Sequence, residues 1–342
     1  MEQTPESATN TNLNLNKAVK SLSSEVVKKV TDEGSGGKPT DKDMGVVQLT
    51  LDKGVKTTVI GTIYGLDFEI EEDDYKVNVF FDYYNRRLKV IDYSCKHYSN
   101  MLRRLAWLAE TNEFDKVFVK AKQEDFQKFL SRGYIMEGIL RYYFNGEDAY
   151  VLSRFSSATR AESPDLVAES QLIEKIIYES KPKIERKLPE NIRLIKADKT
   201  HIAQLIYIYR QVFETYPSPL TNPDYIQSVM GRNVHFVLAM QGDEPVAAAS
   251  AEINLKYSNA ELTDCASIPS IQGKGIMQFI MKKLENILKE EKVLTSYSLA
   301  RAKSIGMNKS FFRLDYEYSG RLIKNCDIFG EFEDLNIWVK RI

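Results

Sequence analysis

The fold of this chain is decided by residues 260–291, which read AELTDCASIPSIQGKGIMQFIMKKLENILKEE. The first part predicts a strand that ends at Pro269, and the last part predicts a helix because its apolar residues recur at helical spacing. Between them lies a glycine-bearing loop at residues 272–275. Free amides at a helix start, glycines that let the backbone approach a ligand closely and the Lys274 cation together predict a site for a phosphate-bearing ligand.

The elements predicted around this stretch indicate an α/β fold with a mixed sheet. From residue 191 the order is a strand, a helix, a proline-rich loop, a short helix and three strands, then the loop, a helix, a strand, a helix and a strand. A glycine-bearing loop before a helix is weak evidence by itself, because many helices begin in this way. The order of the elements around it makes the signal specific.

This order resembles the GNAT acetyltransferase superfamily, whose signature after its fourth strand is Q/R-x-x-G-x-G/A. The signature starts at Gln272 in this chain, and Met277 stands where the family has Gly or Ala. The resemblance implies that acetyl-CoA is the cosubstrate, and that the fourth strand splays from the fifth so that its amides face the cofactor. The cofactor-binding residues that it implies are Ala266, Ser267, Ile268, Gln272, Gly273, Lys274, Gly275, Ile276 and Asn308.

A narrower resemblance concerns the acceptor. Residues 259–269, 300–322 and 330–340 are similar to the beta-lysine N-acetyltransferase family, and the likeness spans residues 46–342. It implies acetylation of the terminal amine of beta-lysine, by direct amine attack in a ternary complex, to N-epsilon-acetyl-beta-lysine, a compatible solute. Two other readings stay open: an acetyltransferase for another diamine, amino acid or peptide N-terminus, and a non-catalytic module that only binds acetyl-CoA.

Acidic residues on predicted strands are the candidate catalytic groups, because a dicationic amine is expected to bind near carboxylates. Glu252 and Asp264 are the candidates for the base that deprotonates the ammonium, directly or through water. A structural hydrogen bond or a solvated strand end is an equal alternative for each. Phe311 stands where many GNAT enzymes have a tyrosine acid, so the acid is unassigned. The predicted substrate-binding residues are Tyr216, Asp224, Glu333 and Asn336.

The chain is predicted to contain four regions. A flexible polar tail, in which one amphipathic helix can form, precedes a degenerate GNAT-like half that has no GxG loop. A charged helical linker then leads to the catalytic GNAT domain. The four regions are residues 1–45, 46–160, 161–190 and 191–342.

The two halves share a sequence spacing. Tyr134-xxx-Gly138-x-Leu140 and Tyr316-xxx-Gly320-x-Leu322 each follow a predicted helix and begin a strand. This suggests an ancient duplication, and coincidence of one helix–turn–strand pattern is the alternative. The first half is predicted as four strands, a helix, a strand, a helix and a hairpin that turns at Asn145-Gly146.

Composition favours a small-molecule partner, and the resemblance implies that this partner is an amine. The net charge is −1, from 47 basic and 48 acidic residues, which argues against broad electrostatic binding of nucleic acid or an anionic membrane. Three separate cysteines and three scattered histidines form no disulfide framework or metal motif, so no metal is expected and a reducing cytoplasm fits. No long apolar run predicts a membrane helix, and the polar N-terminus is unlike a secretory signal. A homodimer is left open.

Overall fold

The computed structural model describes residues 46–60, 65–179, 187–213, 216, 218–328 and 330–342. Residues 46–342 form one compact unit. The predicted α/β architecture with a mixed sheet is confirmed, because helices pack on a large sheet that contains both parallel and antiparallel pairs. The tail predicted over residues 1–45, with its amphipathic helix, lies outside the described residues.

The strands are numbered in chain order. They are β1 (Val46–Asp52), β2 (Val55–Ile60), β3 (Leu66–Glu72), β4 (Tyr75–Asp82), β5 (Arg87–Cys95), β6 (Lys116–Ala121), β7 (Ile135–Phe144), β8 (Glu147–Phe155), β9 (Ile192–Lys196), β10 (Val234–Gln241), β11 (Glu244–Asn254), β12 (Asn259–Ser267), β13 (Thr295–Arg301), β14 (Glu317–Ile328) and β15 (Glu331–Arg341).

The helices are numbered in the same way. They are α1 (Tyr98–Thr111), α2 (Phe126–Leu130), α3 (Ala158–Ala161), α4 (Leu166–Tyr178), α5 (Ile202–Val212), α6 (Pro223–Val229), α7 (Ile276–Glu290) and α8 (Ile305–Arg313), with short 3-10 turns at Lys199–His201 and Pro269–Ile271. Five strands precede α1, where four were predicted. The additional strand is β3, in which Leu66, Phe68 and Ile70 alternate with exposed acidic residues.

One sheet of thirteen strands joins the two halves of the chain. Its order is β3-β4-β5-β6-β8-β7-β14-β15-β13-β12-β11-β10-β9, and β1 and β2 form a separate antiparallel pair. Read inward from β3 or from β10, the halves have the same order: three antiparallel strands, one parallel neighbour, then a hairpin. The N-terminal half therefore repeats the strand topology of the C-terminal half.

The halves meet where β7 and β14 pair, and Gly138 lies opposite Gly320 at that junction. The β7–β8 register shifts before Gly138 and again after Leu140. The β14–β15 register shifts at the corresponding places, before Gly320 and again after Leu322. Equal irregularities at a constant sequence offset favour duplication over coincidence, because bulges are specific local features that do not arise from a general strand pattern.

The two glycines let the strands approach closely. A Cβ atom on Gly320 would overlap the Glu137 carbonyl and the Gly138 Cα, and its φ of +145° disfavours any other residue. A Cβ atom on Gly138 would lie 2.7 Å from the Ser319 carbonyl oxygen. The spacing noticed in the sequence is thus explained by contact between the two repeats.

Gly320→Ala is expected to lower the free energy of unfolding by about 3 kcal/mol, because backbone strain and steric overlap add at this position. The measurement is urea unfolding of the full chain. Gly306→Ala is the matched control, since its Cβ atom would meet nothing within 4 Å and it lies inside helix α8. Equal stability of the two variants would contradict a tight junction.

Candidate active site

Strands β12 and β13 separate soon after they begin to pair. Their parallel ladder holds three residue pairs, from Asn259–Thr295 to Glu261–Tyr297. Beyond Glu261, β12 continues against β11 to Ser267, whereas β13 continues against β15 to Arg301. The edge of β12 that faces β13 is therefore open past Glu261, as the resemblance implied.

A bulge in β12 lies at the mouth of this opening. The β11–β12 register changes between Thr263, which pairs with Ser250, and Ala266, which pairs with Ala248. Asp264 falls within the bulge and has a φ of +54°, a left-handed conformation that is uncommon for Asp. A bulge redirects the side chains of its strand, so Asp264 and its neighbours turn toward the opening.

The end of β12 presents one amide to the open edge. The Ile268 N–H donates to the Val246 carbonyl at 3.0 Å, so Ile268 faces β11. Backbone groups alternate in direction along a strand, which puts Ala266 on the same side as Ile268 and turns Ser267 toward β13. Of the three backbone contacts predicted for the cofactor, Ser267 is the one best directed.

The loop before α7 has the features of an anion site. Gly273 and Gly275 have φ values of +78° and +80°, which glycine adopts at little cost. The Gln272 Nε2 donates to the Ser267 carbonyl at 3.0 Å and ties the loop to the end of β12. In the described part of the chain, α7 has no side-chain cap and no acidic residue in its first turn, and Lys274 is exposed. These residues suit a pyrophosphate.

Met277 departs from the family signature without obstructing the loop. Its side chain is 8% exposed and packs in the core beneath α7, together with Ile276 and Ile280. The extra side chain therefore points away from the loop amides.

Two cavities meet beside the open edge. One, of about 160 Å³, lies between β12 and β13 and is lined by Asp264, Cys265, Ser298 and Phe311 among others. The second, of about 620 Å³, is lined by residues of both halves of the chain. We call the first the splay cavity and the second the acceptor cleft. The residues that line both are Tyr216, Glu261, Thr263 and Leu299.

Comparison with known proteins identifies the family to which this arrangement of strands and loop belongs. Residues 202–310 match the model of the acetyltransferase (GNAT) family. The chain is also 34% identical over 261 residues to N-acetyltransferase YodP of Bacillus subtilis (strain 168), covering 76% of this chain and 94% of that protein. This chain belongs to the GNAT acetyltransferase family. It is an N-acetyltransferase, and acetyl-CoA is the acetyl donor that this family uses.

Two further relatives carry a more specific name. The acetyltransferase is 35% identical over 255 residues to beta-lysine N(6)-acetyltransferase of Methanosarcina mazei, covering 69% of this chain and 94% of that protein. It is 31% identical over 245 residues to the protein of the same name from Methanococcus maripaludis, covering 72% and 89%.

Two carboxylates of this acetyltransferase stand side by side in the acceptor cleft. Glu252 on β11 pairs directly with Glu261 on β12, so both side chains lie on one face of the sheet. Burial, together with the nearby Asp264 and Glu261 carboxylates, raises the pKa of Glu252 to about 8. The Tyr297 hydroxyl hydrogen-bonds to Glu261. Sequence reasoning found Glu252 and missed Glu261.

Asp264 is held by hydrogen bonds within the bulge. The Ser250 Oγ donates to Asp264 Oδ2 at 2.5 Å. Burial raises the pKa of Asp264 to about 6, and hydrogen bonds from Ser250 and Tyr216 limit the rise. The structure thus places Tyr216 beside both cavities and gives Asp264 a role in fixing the bulge.

The structure places Asn308 and Asn336, predicted to contact cofactor and substrate, in a buried hydrogen-bond network. Asn308 Oδ1 accepts hydrogen bonds from Asn336 Nδ2 at 3.0 Å and from Trp338 Nε1 at 2.8 Å. Its Nδ2 donates to the Arg301 and Ser304 carbonyls. Every donor and acceptor of the Asn308 side chain is thus used, which leaves it a structural role in joining α8 to β15.

The structure also separates Glu333 and Asp224 from the other predicted site residues. Glu333 forms an ion pair with Arg301, with 2.6 Å between Oε2 and Nε, and lines a different cleft. Asp224 is exposed in the first turn of α6, whereas its neighbours Asn222 and Tyr225 line the acceptor cleft.

Neither Cys265 nor Phe311 in the splay cavity supplies an acid for the leaving thiolate. Burial raises the pKa of Cys265 to about 12, so its thiol gives up a proton reluctantly. Phe311 is buried against Tyr316 and Trp338. The Tyr316 hydroxyl is in turn hydrogen-bonded to Ser296 at 2.8 Å and lies in the core.

Two findings concern other classes of site. Across the described ranges, no helix combines the length and apolar character needed to span a membrane. In the same residues, no group of three or more His, Cys, Asp or Glu side chains is placed to hold a metal ion.

The raised pKa of Glu252 predicts a pH-dependent stability. From about pH 5 to pH 8 the folded state keeps a proton that the unfolded state has lost, so stability falls as pH rises. In Glu252→Gln the free energy of unfolding should fall less steeply with pH than in the wild type. The difference between the two slopes should be up to about 1.4 kcal/mol per pH unit. Urea unfolding of the ligand-free protein at several pH values measures this slope.

Glu244→Gln is the control for this measurement, because Glu244 is exposed at the beginning of the same strand. It should keep the wild-type slope. Identical slopes for all three proteins would show that Glu252 is not held protonated by the fold.

Proposed function

We propose that this acetyltransferase transfers the acetyl group of acetyl-CoA to the terminal amine of beta-lysine. The observation that carries the proposal is the adjacent pair Glu252 and Glu261, set in a cleft that opens onto the exposed edge of β12. The names of the two archaeal relatives support beta-lysine as the acceptor.

The charge of the cleft suits a diamine. Beta-lysine carries two ammonium groups and one carboxylate at neutral pH. Burial, together with the nearby Asp264 and Glu261 carboxylates, raises the pKa of Glu252, and a dication bound beside Glu252 and Glu261 favours the charged form of both carboxylates. A monoamine would leave one of the two carboxylates without a counter-charge.

Glu261 is best placed to accept the proton of the reacting ammonium. It lines both the acceptor cleft and the splay cavity, whereas Glu252 lines the cleft and Asp264 lines the splay cavity. A terminal amine that enters between the cavities lies beside Glu261 and faces the open edge of β12. Loss of the proton to Glu261 frees the nitrogen lone pair for attack on the acetyl carbonyl.

The remaining residues position the reactants. Acetyl-CoA supplies an activated acetyl group at the open edge. The loop amides and Lys274 hold its pyrophosphate, and the Ser267 amide directs a hydrogen bond into the splay. Glu252 binds the second ammonium of the acceptor and so fixes which amine reaches Glu261. The nitrogen–carbon bond forms as the carbon–sulfur bond breaks, the electron pair leaves with sulfur, and the nitrogen gives up its remaining excess proton to water to become a neutral amide.

The product of this reaction is electrically balanced. Acetylation removes one positive charge from beta-lysine and leaves one ammonium and one carboxylate. A neutral zwitterion can accumulate without disturbing the ionic balance of its compartment, which is the property required of a compatible solute.

Glu261→Gln is expected to lower kcat with beta-lysine about 100- to 10,000-fold, because the amide cannot accept the ammonium proton. Affinity for acetyl-CoA should stay unchanged, since Glu261 lies away from the loop. Release of free CoA, followed with a thiol reagent, gives kcat for beta-lysine, lysine, ornithine and spermidine.

Glu244→Gln again serves as the control and should keep full activity. Turnover of another amine in preference to beta-lysine would contradict beta-lysine as the acceptor but would still support an acetyltransferase activity. Binding of acetyl-CoA without turnover of any amine would contradict the proposed function and favour a non-catalytic binding module.

A further inference from the structure

The acceptor cleft has a second wall that belongs to the N-terminal half. Lys89 on β5 and Lys120 on β6 line it, opposite the carboxylates of β11 and β12. An adjoining cavity of about 520 Å³ is lined by the same two lysines together with Glu252 and Glu261. Both lysines lie close enough to Glu252 to lower its pKa, against the larger effect of burial.

The duplication explains how the two walls came to face each other. Arg87 Nη1 donates to the Asn325 carbonyl at 2.9 Å, and Asn259 Nδ2 donates to the Tyr143 carbonyl at 2.8 Å. Because Tyr143 and Asn325 occupy equivalent places in β7 and β14, Arg87 and Asn259 are equivalent as well.

Counting two residues along each strand makes Lys89 the counterpart of Glu261. The parallel ladders agree, since Lys89 pairs with Phe118 and Glu261 pairs with Tyr297. Equivalent positions of the two repeats thus carry opposite charges across one cleft. A ligand with positive charge at one end and negative charge at the other is held in one direction by this arrangement.

The other cation on this wall is already neutralised. Arg87 forms an ion pair with Asp82, with 2.7 Å between Nε and Oδ2, and Asp82 also accepts from Asn85. Among the described residues, by contrast, neither Lys89 nor Lys120 has a carboxylate within 4.0 Å.

The two lysine ammonium groups retain capacity for a ligand. Lys89 Nζ lies 5.0 Å from the centre of the Phe80 ring. Lys120 Nζ donates to the hydroxyls of Tyr143 and Tyr297, at 3.1 and 3.3 Å, and an ammonium has three donors. Half-buried cations beside aromatic rings, without an anion of their own, suit a carboxylate that arrives with the substrate.

We propose that Lys89, assisted by Lys120, binds the carboxylate of the acceptor, so that the N-terminal half determines specificity for an amino acid over a plain diamine. The inference rests on the proposed function. It makes the half that lacks a phosphate loop a part of the substrate site. The acceptor then lies with its carboxylate toward β5 and its terminal amine at Glu261.

The test compares acceptors that differ only in the carboxylate: beta-lysine with 1,4-diaminopentane, and lysine with 1,5-diaminopentane. Of the two pairs, the one with the higher kcat/KM is used for the comparison. Within that pair, the wild-type protein should have the higher kcat/KM for the member that carries the carboxylate. Lys89→Met should lower kcat/KM for that member about ten- to hundredfold, mainly through KM, because a hydrogen bond between charged groups contributes on that order. The matching diamine should be turned over as by the wild type.

Two further variants separate binding from folding. Lys89→Arg keeps the charge and should retain most of the preference for the carboxylate. Lys56→Met replaces an exposed lysine of β2 and should leave both acceptors unaffected. Thermal unfolding of each variant shows whether it is folded. Lys89 carries the test because Lys120→Met would also remove hydrogen bonds to two tyrosines.

Three outcomes would overturn the inference: equal losses for both members of a pair, no loss for either, or a wild-type preference for the diamine. Equal losses would mean that Lys89 acts by balancing the carboxylates of the opposite wall. The acceptor assignment fails separately. Suppose that lysine is a better acceptor than beta-lysine, and that Lys89→Met abolishes the preference for lysine over 1,5-diaminopentane. The carboxylate site at Lys89 is then supported, whereas beta-lysine as the acceptor is not.

Discussion

Backbone pairing between β12 and β13 stops after three residue pairs, and the rest of the site is arranged around that gap. Each strand stays in the sheet because its other edge is paired with a neighbour, β12 with β11 on both sides of its bulge and β13 with β15 along its whole length. The separation therefore leaves only one edge of each strand without a strand partner. It opens the splay cavity between β12 and β13, and the uncapped amides at the start of α7 follow the end of β12 along the chain. An acyl donor that lies in the gap can satisfy both sets of backbone groups.

The bulge in β12 links this gap to the acceptor. It sets Asp264 in a left-handed conformation, and the hydrogen bond from Ser250 on β11 holds it there. Strand alternation before the bulge puts Glu261 and Thr263 on one face, toward the acceptor cleft. Alternation after it turns the Ser267 amide toward the open edge of β12. One irregular residue thus lets a single strand face both the acceptor cleft and the gap.

Duplication of the strand topology provides the second wall of the cleft. Contact between Gly138 and Gly320 joins the repeats into one sheet. The sequence between β5 and α1 contains no GxG loop, so this half has no counterpart of the loop before α7. Equivalent positions in two identical repeats would carry the same charge on both walls of the cleft. Because Lys89 and Glu261 are oppositely charged, one wall is positive and the other is negative.

Local signals in the sequence were sufficient for the mixed α/β fold, the glycine loop before α7 and the hairpin at Asn145-Gly146, because each depends on residues near one another in the chain. Glu252 was found because an acid at the end of a strand is visible in the sequence. The partner Glu261, the lysine wall and the buried roles of Asn308 and Asn336 depend on strand register and on contacts between distant residues. Only the folded chain decides those, since register determines which side chains share a face and which polar groups are already satisfied.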